Sequence, residues 1–277
     1  MGQHESEVQT GQRFAFGENW QQFLRVLTDE RIARAQLSLQ TMLEVESLAG
    51  KTFLDIGCGS GLFSLAARNL NARVHSFDFD PQSVACTEEL KRRYAPADEV
   101  WIIERGSVLD VDYLASLGTF DVVYSWGVLH HTGQMWQAID NAAARVAPAG
   151  KFFIAIYNDQ GPGSRGWLRV KQLYNRLPHA LRWAVLYPSL MRLWAPTMLR
   201  DLLRGRPGYT WRHYAEQSTR GMSAWHDVVD WVGGLPFEVA SPEKIVAHCE
   251  QLGFRELRHT DCGRGLGCNE FVFERSA

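Results

Sequence analysis

The sequence is poor in the features that mark secreted or nucleic-acid-binding proteins. It has five cysteines in 277 residues and no CxxC pair, which argues against a disulfide framework and indicates reduced thiols in a reducing compartment. Its formal net charge of −2 gives no overall attraction to nucleic acid. The stretch MGQHESEVQT lacks the apolar core of a secretory signal. We therefore expect a cytoplasmic protein.

Long apolar runs and metal-binding patterns are also missing. The most apolar stretch, residues 179–203, contains three arginines, whereas a membrane span needs about 20 consecutive apolar residues. A helix lying on a membrane surface stays open from the same stretch, although we do not favour it. Cys262 and Cys268 have no neighbouring ligand partners in the sequence, so we expect no metal.

From residue 52 onward, short apolar runs alternate with helical segments. Strands that alternate with helices predict an α/β fold with a parallel sheet and helices on both faces. The predicted strands are 52–56, 73–77, 100–104, 120–125, 151–157, 254–260 and 268–274.

These patterns divide the chain into four predicted parts. They are an N-terminal helical cap (1–50), an α/β core (51–157), a helical insertion (158–240), and a C-terminal helix with a β-hairpin that completes the core (241–277). The insertion holds six of the ten prolines, six of the ten tryptophans and eleven of the 29 lysines and arginines.

The insertion follows strand five directly, at the sheet edge where ligands bind, so we predict that it forms a lid over the site. Trp183, Leu186, Leu190 and Trp194 share one helical stripe. We expect that stripe to pack inward.

The loop after the first strand carries the most specific motif, D-I-G-C-G-S-G, from Asp55 to Gly61. Its G-x-G-x-G pattern differs from the G-x-G-x-x-G of nicotinamide-binding proteins, whose third glycine would stand where this chain has Leu62. Gly57 and Gly59 let the backbone approach a ligand, and the following helix offers N–H groups to a carboxylate. The motif resembles the S-adenosylmethionine (SAM) site of class I methyltransferases.

That resemblance implies a Rossmann-like sheet of seven strands and SAM as the cofactor. Asp55 would face the amino group of SAM. Asp78 ends the second strand about 20 residues after the glycines, the usual place for an acidic residue that accepts both ribose hydroxyls. Phe79 would then lie against the adenine. The resemblance also implies five further cofactor-binding residues. They are Cys58 in the glycine loop, Ser107 and Val108 at the adenine edge, and Ser125 and Trp126 after strand four.

Three further stretches resemble methyltransferases of the polyprenyl-benzoquinol (ubiquinone-pathway) type: FAFGENW at 14–20, VYSWGVLHHTG at 123–133 and DWVGGLPFEVASPE at 230–243. This resemblance implies in-line methyl transfer to a small molecule, most readily to oxygen. The Asn/Asp-Pro-Pro-Tyr motif of enzymes that methylate planar nitrogen is missing after strand four. Its place is taken by Ser125-Trp126-Gly127-Val128.

An alcohol or phenol acceptor must lose a proton, and histidine is the side chain best suited to take it near neutral pH. His130 and His131 follow strand four at the ligand face, and His226 stands near the end of the insertion. These are the candidate bases. A carboxylate acceptor would need none, because it is already ionised at pH 7.

The basic, aromatic insertion suggests a small acceptor that is anionic or partly apolar. Two alternatives stay open: an RNA or protein methyltransferase that docks through the basic insertion, and a SAM-binding protein without catalysis. No RNA-binding module is recognisable, so we expect no nucleic-acid partner. A nicotinamide-dependent dehydrogenase is a fourth and remote hypothesis.

Overall fold

Seven strands form one sheet in the order β3-β2-β1-β4-β5-β7-β6. The computed structural model describes residues 2–214, 224–263 and 265–276. β7 runs antiparallel to both of its neighbours, and the other strands run parallel to one another. The Rossmann-like seven-stranded sheet is therefore confirmed. The strands are β1 Thr52–Ile56, β2 Arg73–Asp78, β3 Trp101–Arg105, β4 Phe120–Trp126, β5 Val146–Tyr157, β6 Phe254–Thr260 and β7 Cys268–Arg275.

β5 begins five residues before the predicted strand. Val146 already pairs with Phe120, and the register then shifts before Lys151 pairs with Val122. Ala149 adopts a positive φ of 56° in this bulge. The extra residues are therefore a local irregularity at the strand's start, and the pairing that reaches the site begins at Lys151.

Helices precede the sheet, connect its strands and fill the insertion. Asp80 caps α5 by accepting a hydrogen bond from the N–H of Gln82, and Pro81 opens that helix. Asp110 caps α6 through the N–H of Tyr113. The helices are α1 Gln3–Gln9, α2 Phe16–Leu24, α3 Asp29–Leu43, α4 Leu62–Asn69, α5 Pro81–Tyr94, α6 Val111–Leu117, α7 Met135–Ala143, α8 Pro162–Arg176, α9 Trp183–Leu203, α10 Tyr209–Arg212, α11 Ala224–Gly233 and α12 Pro242–Gln251.

Two hydrophobic cores lie on the two faces of the sheet. Successive residues of a strand point to opposite faces, and Phe53 and Leu54 of β1 accordingly belong to different cores. The first core includes α2 to α5, and the second includes α7 and α12. The sheet is thus covered on both sides, and a ligand can enter only at a strand end.

The insertion packs around a third core, which Phe14 of the N-terminal cap shares with Tyr174, Leu186 and Val228. Leu190 and Trp194 pack against it as expected. The expectation was wrong for Trp183, which is 58% exposed. Trp183 is the first residue of α9, where the helix has not yet reached the packed cluster. No helix in the described parts of the chain is long and apolar enough to cross a membrane.

Candidate functional site

A cavity of about 1080 Å³ opens where β1, β2 and β4 end. The carboxyl ends of parallel strands meet at this edge, as expected for a ligand site. Three parts of the chain form its wall. The sheet contributes the loops after its strands, the N-terminal cap contributes residues between Gln3 and Phe23, and the insertion contributes Leu193, Trp194, Tyr214, Asp227, Val228, Asp230 and Trp231.

The glycine loop has a backbone that only glycine adopts easily. Gly57 has φ 76° and Gly59 has φ 55°. A Cβ on Gly57 would lie 2.4 Å from Cγ1 of Val128, and one on Gly59 would lie 3.0 Å from Nε1 of Trp20. The loop therefore packs against both the β4 end and the N-terminal cap, with no room for side chains.

Two carboxylates face the cavity beside this loop. Asp55 is buried and accepts a hydrogen bond from Oγ of Ser64 at 2.5 Å. Asp78 accepts from the N–H of Gly59 at 3.0 Å and from the N–H of Asp80 at 2.9 Å. Burial raises the pKa of Asp55 to about 7 and that of Asp78 to about 6, although these hydrogen bonds oppose the shift. A cation in the cavity would lower both pKa values.

Phe79 lies at the cavity wall under the N-terminal cap. The ring of His4 meets it edge-on at 5.6 Å, and the guanidinium of Arg13 lies 5.1 Å from its centroid. Arg13 also donates to the backbone oxygen of His131 at 3.0 Å. The cap is thereby joined to the loops after β2 and β4. Ser107 and Val108 line the cavity near Phe79 in the loop after β3.

The remaining predicted cofactor residues divide into two groups. Cys58 and Trp126 line the cavity, and Trp126 is held by Nε1 donating to Glu270 at 2.8 Å. Gly61 and Ser125 do not line it. Gly61 is the N-cap residue of α4, and Ser125 is buried and donates to the backbone oxygen of Ile56 at 3.0 Å. These two residues hold the loop and the strand end in place.

The three histidines occupy different environments, and His131 alone of the three lines the cavity. Its Nδ1 lies 2.5 Å from the carbonyl oxygen of Pro236. Because a carbonyl oxygen only accepts, Nδ1 carries the proton and Nε2 keeps its lone pair. Burial and the nearby Lys171 lower the pKa of His131 to about 3.

His130 and His226 lie away from the cavity wall. His130 is fully buried, its ring centroid lies 4.0 Å from that of Tyr157, and its Nδ1 accepts from the Tyr157 N–H at 3.4 Å. His226 belongs to α11, where burial lowers its pKa. Its backbone oxygen accepts from Nδ2 of Asn19. The structure thus brings one of the three candidate bases to the cavity.

α11 contributes two acidic groups to the cavity that the sequence motifs did not predict. Asp230 is buried and accepts from Nδ2 of Asn19 at 2.7 Å, and Asp227 accepts from the Tyr214 hydroxyl. Both carboxylates line the cavity. Their spacing of three residues on one helix puts them on one face, a signal that was available from the sequence.

Lys171 of α8 is a third residue that the sequence motifs did not predict. It is fully buried, its Nζ lies 4.6 Å from the ring centroids of both Trp231 and Phe237, and it donates to the backbone oxygen of Trp231. Asn175, one turn later, donates to the backbone oxygen of Gly233 at 2.6 Å. These two side chains hold the last turn of α11 against the cavity.

Comparison with known proteins agrees with this geometry. The family model described as a methyltransferase domain matches residues 54–152. A ubiquinone biosynthesis O-methyltransferase of Methylobacterium sp. (strain 4-46) is 32% identical over 114 residues, which are 41% of this chain and 43% of that protein. A ribosomal protein L11 methyltransferase of Methylococcus capsulatus is 30% identical over 114 residues, 41% of this chain and 36% of that protein.

Among solved structures, magnesium protoporphyrin IX methyltransferase of Synechocystis PCC 6803, crystallised with S-adenosylhomocysteine (SAH), matches with a TM-score of 0.51 and 14% identity. The match covers 89% of this chain and 86% of that one, and shows the fold. The chain spans less than half the length of the curated relatives that it matches. The names of these two relatives give different methyl acceptors.

Proposed function

We propose that this chain is a class I SAM-dependent methyltransferase that methylates an oxygen atom of a small molecule, because residues 54–152 match a family model described as a methyltransferase domain. One observation carries the proposal. A single cavity joins the glycine loop and Asp78 to the aromatic wall of the insertion. A cofactor bound at the first end would therefore face an acceptor bound at the second.

The glycine-loop end of the cavity fits SAM. The loop packs so closely that a Cβ on Gly57 would strike Val128, and α4 begins beside it without a side-chain cap, which suits a carboxylate. Asp55 and Asp78 supply negative charge for an amino group and for ribose hydroxyls, and Phe79 supplies an apolar face. SAM, when bound, supplies an electrophilic methyl group on a sulfonium centre.

The volume of the cavity favours a small acceptor. Pockets for small ligands measure roughly 300–1,000 Å³, so about 1080 Å³ holds a cofactor together with a modest second molecule. The N-terminal cap and the insertion both close over this space, which limits the entry of water and of a folded macromolecule.

The charge of the residues that line the cavity indicates which class of acceptor fits it. None of the described insertion residues that line the cavity is basic, and two of them, Asp227 and Asp230, are acidic. The basic character of the insertion therefore does not reach the described part of the wall, which speaks against an anionic acceptor. Trp194 and Trp231 add aromatic surface. We propose a neutral or cationic, partly aromatic acceptor that carries a hydroxyl group.

Side chains of this wall would orient the acceptor for in-line attack. His131 stays neutral at every working pH because its pKa is about 3, so it can accept a hydrogen bond from the acceptor hydroxyl. With so low a pKa it is a weak proton acceptor, and the proton would pass instead to Asp227 or Asp230, which line the same cavity. Positioning at near-attack distance then supplies most of the rate.

The direct test is methyl transfer itself. The protein is incubated with SAM and a metabolite extract, and products heavier by one methyl group are identified by mass spectrometry. We expect a hydroxylated small molecule to be converted to its methyl ether at a rate that salt does not change, since no charged macromolecule must dock. Salt-sensitive transfer to RNA or protein would support the alternative instead. SAM binding without any turnover would support a non-catalytic role.

The three histidines give a second test at saturating SAM. His131→Ala should lower kcat/KM by about tenfold or more because it removes a hydrogen bond at the cavity wall. His226→Ala should keep turnover near wild type. His130→Ala should mainly lower thermal stability, since that ring is buried against Tyr157. Wild-type turnover in all three variants would remove histidine from the proposed site.

A further inference from the structure

An extended apolar surface covers the outer side of α9. Six large side chains of this helix are between 53% and 79% exposed: Trp183, Tyr187, Met191, Leu199, Leu202 and Leu203. Trp225 of α11 lies beside Tyr187, with ring centroids 6.4 Å apart. Exposed apolar surface on this scale marks an interaction site. We call the six side chains the α9 face.

The inner side of the same helix is already occupied. Leu186 is buried in the third core, and Leu190 packs against it. Leu193 and Trp194 line the cavity. α9 is thus apolar on both sides, unlike an ordinary surface helix, whose outer side is polar. The α9 face therefore serves a purpose other than folding the insertion.

The charged residues of the segment that carries the α9 face are mostly basic. Residues 182–212 contain six arginines and a single acidic residue, Asp201. Asp201 is buried and accepts from the N–H of Thr210 at 2.7 Å and from its hydroxyl at 2.8 Å. Arg192, Arg200 and Arg204 are exposed. The outer surface thus combines tryptophan, tyrosine and aliphatic side chains with arginine and no exposed carboxylate of this segment.

We propose that the α9 face lies on an anionic lipid surface. Exposed aromatic side chains favour the boundary between headgroups and acyl chains, and arginines near them attract anionic headgroups. No described helix can cross a bilayer, so the contact is peripheral. A second copy of the chain fits less well, because a symmetric contact would oppose the arginines of one face to the same arginines of the other.

This contact would place the acceptor end of the cavity close to the membrane. Leu193 and Trp194, which line the cavity, belong to the helix that would rest on the lipid. A partly apolar acceptor dissolved in the bilayer would then reach the site without crossing much water. The lipid contact itself does not depend on the proposed function and can be measured without turnover.

Vesicle flotation of the full chain tests the contact. The probes are phosphatidylcholine vesicles with and without phosphatidylglycerol. We expect binding to the anionic vesicles only. Trp183→Ser, Tyr187→Ser and Met191→Ser combined should weaken it at least about tenfold. The matched control carries Leu37→Ser, Ile102→Ser and Val111→Ser, which change side chains of similar exposure on other elements, and should bind like wild type.

A variant that combines Arg192→Gln, Arg200→Gln and Arg204→Gln tests how much the positive charge contributes to vesicle binding. Each arginine near an anionic surface contributes ~1 kcal/mol, which is fivefold in affinity, so this variant should also bind at least about tenfold more weakly. Arg25→Gln, Arg73→Gln and Arg255→Gln, exposed on other elements, form the control. SAM affinity measured by calorimetry shows that each variant is folded.

Three results would overturn the proposal. The first is that the wild type does not bind anionic vesicles. The second is that the variants and their controls lose vesicle binding equally. The third is that the wild type binds no vesicles but self-associates, and that the α9 variant abolishes this self-association. The last result, read by analytical ultracentrifugation, would assign the α9 face to a second copy of the chain. A protein that binds anionic vesicles but transfers no methyl group would leave the lipid contact standing and remove the proposed function.

Discussion

At the scale of single residues, the glycine loop and Asp78 are directly coupled in the cavity wall. Gly59 has a positive φ, and a Cβ there would press on Nε1 of Trp20. Its N–H also donates to Asp78. A change at either residue therefore disturbs the loop and the carboxylate together.

We predict that Gly59→Val and Asp78→Ala each weaken SAM binding by at least about 1 kcal/mol, the scale of one lost hydrogen bond. Calorimetry measures the affinity. Gly50→Val is the control for backbone strain, because Gly50 also has a positive φ but has open space where a Cβ would be placed. Unchanged affinity in both site variants would contradict the assignment of the cofactor site.

The two raised carboxyl pKa values predict a pH dependence of SAM affinity. Asp55 titrates near 7 and Asp78 near 6 in the ligand-free protein, and a bound cation favours their ionised forms. Affinity should therefore rise from pH 5 to pH 8, by up to about tenfold per pH unit for each carboxylate below its pKa.

Asp55→Asn should flatten the part of this rise that lies near pH 7, and Asp112→Asn, exposed on α6, should not. The stability of the ligand-free protein has the opposite trend. The folded pKa of each carboxyl exceeds its unfolded value, so stability is lost as pH rises through 6 to 7. An affinity that falls with pH would refute the assignment.

At the scale of elements, the contact between α8 and α11, called the joint below, positions the acidic face of the cavity. Lys171 lies in a box of aromatic rings and donates to the end of α11. Burial lowers the pKa of Lys171 to about 7, while the nearby Asp230 opposes that shift. The joint is thus held by a lysine that loses its charge near neutral pH.

Lys171 should make the folded state more stable as pH rises. Its folded pKa of about 7 lies below the unfolded value near 10.4, so between these values the unfolded chain binds the extra proton. The free energy of unfolding of the wild type should rise with pH in this range, by up to about 1.4 kcal/mol per unit, relative to Lys171→Met. Chemical denaturation at pH 7.5 and 9 measures it.

Arg169→Met is the matched control, because Arg169 is exposed on the same helix. It should follow the wild type at both pH values. If the stability of Lys171→Met changes with pH as that of the wild type does, Lys171 is charged in the folded protein and the proposed joint has a different electrostatic basis.

At the scale of the whole molecule, the cavity wall is shared between the sheet, the N-terminal cap and the insertion. The sheet has two cores of its own, and the insertion packs around the third together with Phe14 of the cap. The sheet should therefore fold without the insertion, while the cap would lose part of its support.

We predict that replacing residues 162–233 by a short Gly/Ser linker leaves a folded protein that binds SAM but transfers no methyl group. SAM affinity should fall by no more than about tenfold, since the glycine loop, Asp78 and Phe79 all lie outside the deleted segment. Circular dichroism and calorimetry provide the readouts. Loss of SAM binding in a folded deletion variant would place the insertion within the cofactor site.

Much of the cofactor half could be read from the sequence, because its signals are local. Alternating strands and helices predicted the sheet, and one loop of seven residues carried the glycine pattern. Asp110 caps α6 by accepting a hydrogen bond from the N–H of Tyr113, three residues later in the chain. Each of these features depends on residues close together in the chain, where backbone conformation and spacing decide the outcome.

The acceptor half depended on contacts between distant residues. Asn19 holds Asp230 from 211 positions away, and His131 reaches the wall while its neighbour His130 is buried behind it. Adjacent residues carry the same local signal, so only packing could separate them. α9 carries large apolar side chains on its buried and on its exposed side, so the helical stripe placed Leu190 and Trp194 correctly but not Trp183. Only the tertiary structure decided which charged and apolar side chains of the insertion face the cavity and which face solvent. The reason is that this depends on which elements pack against α8, α9 and α11.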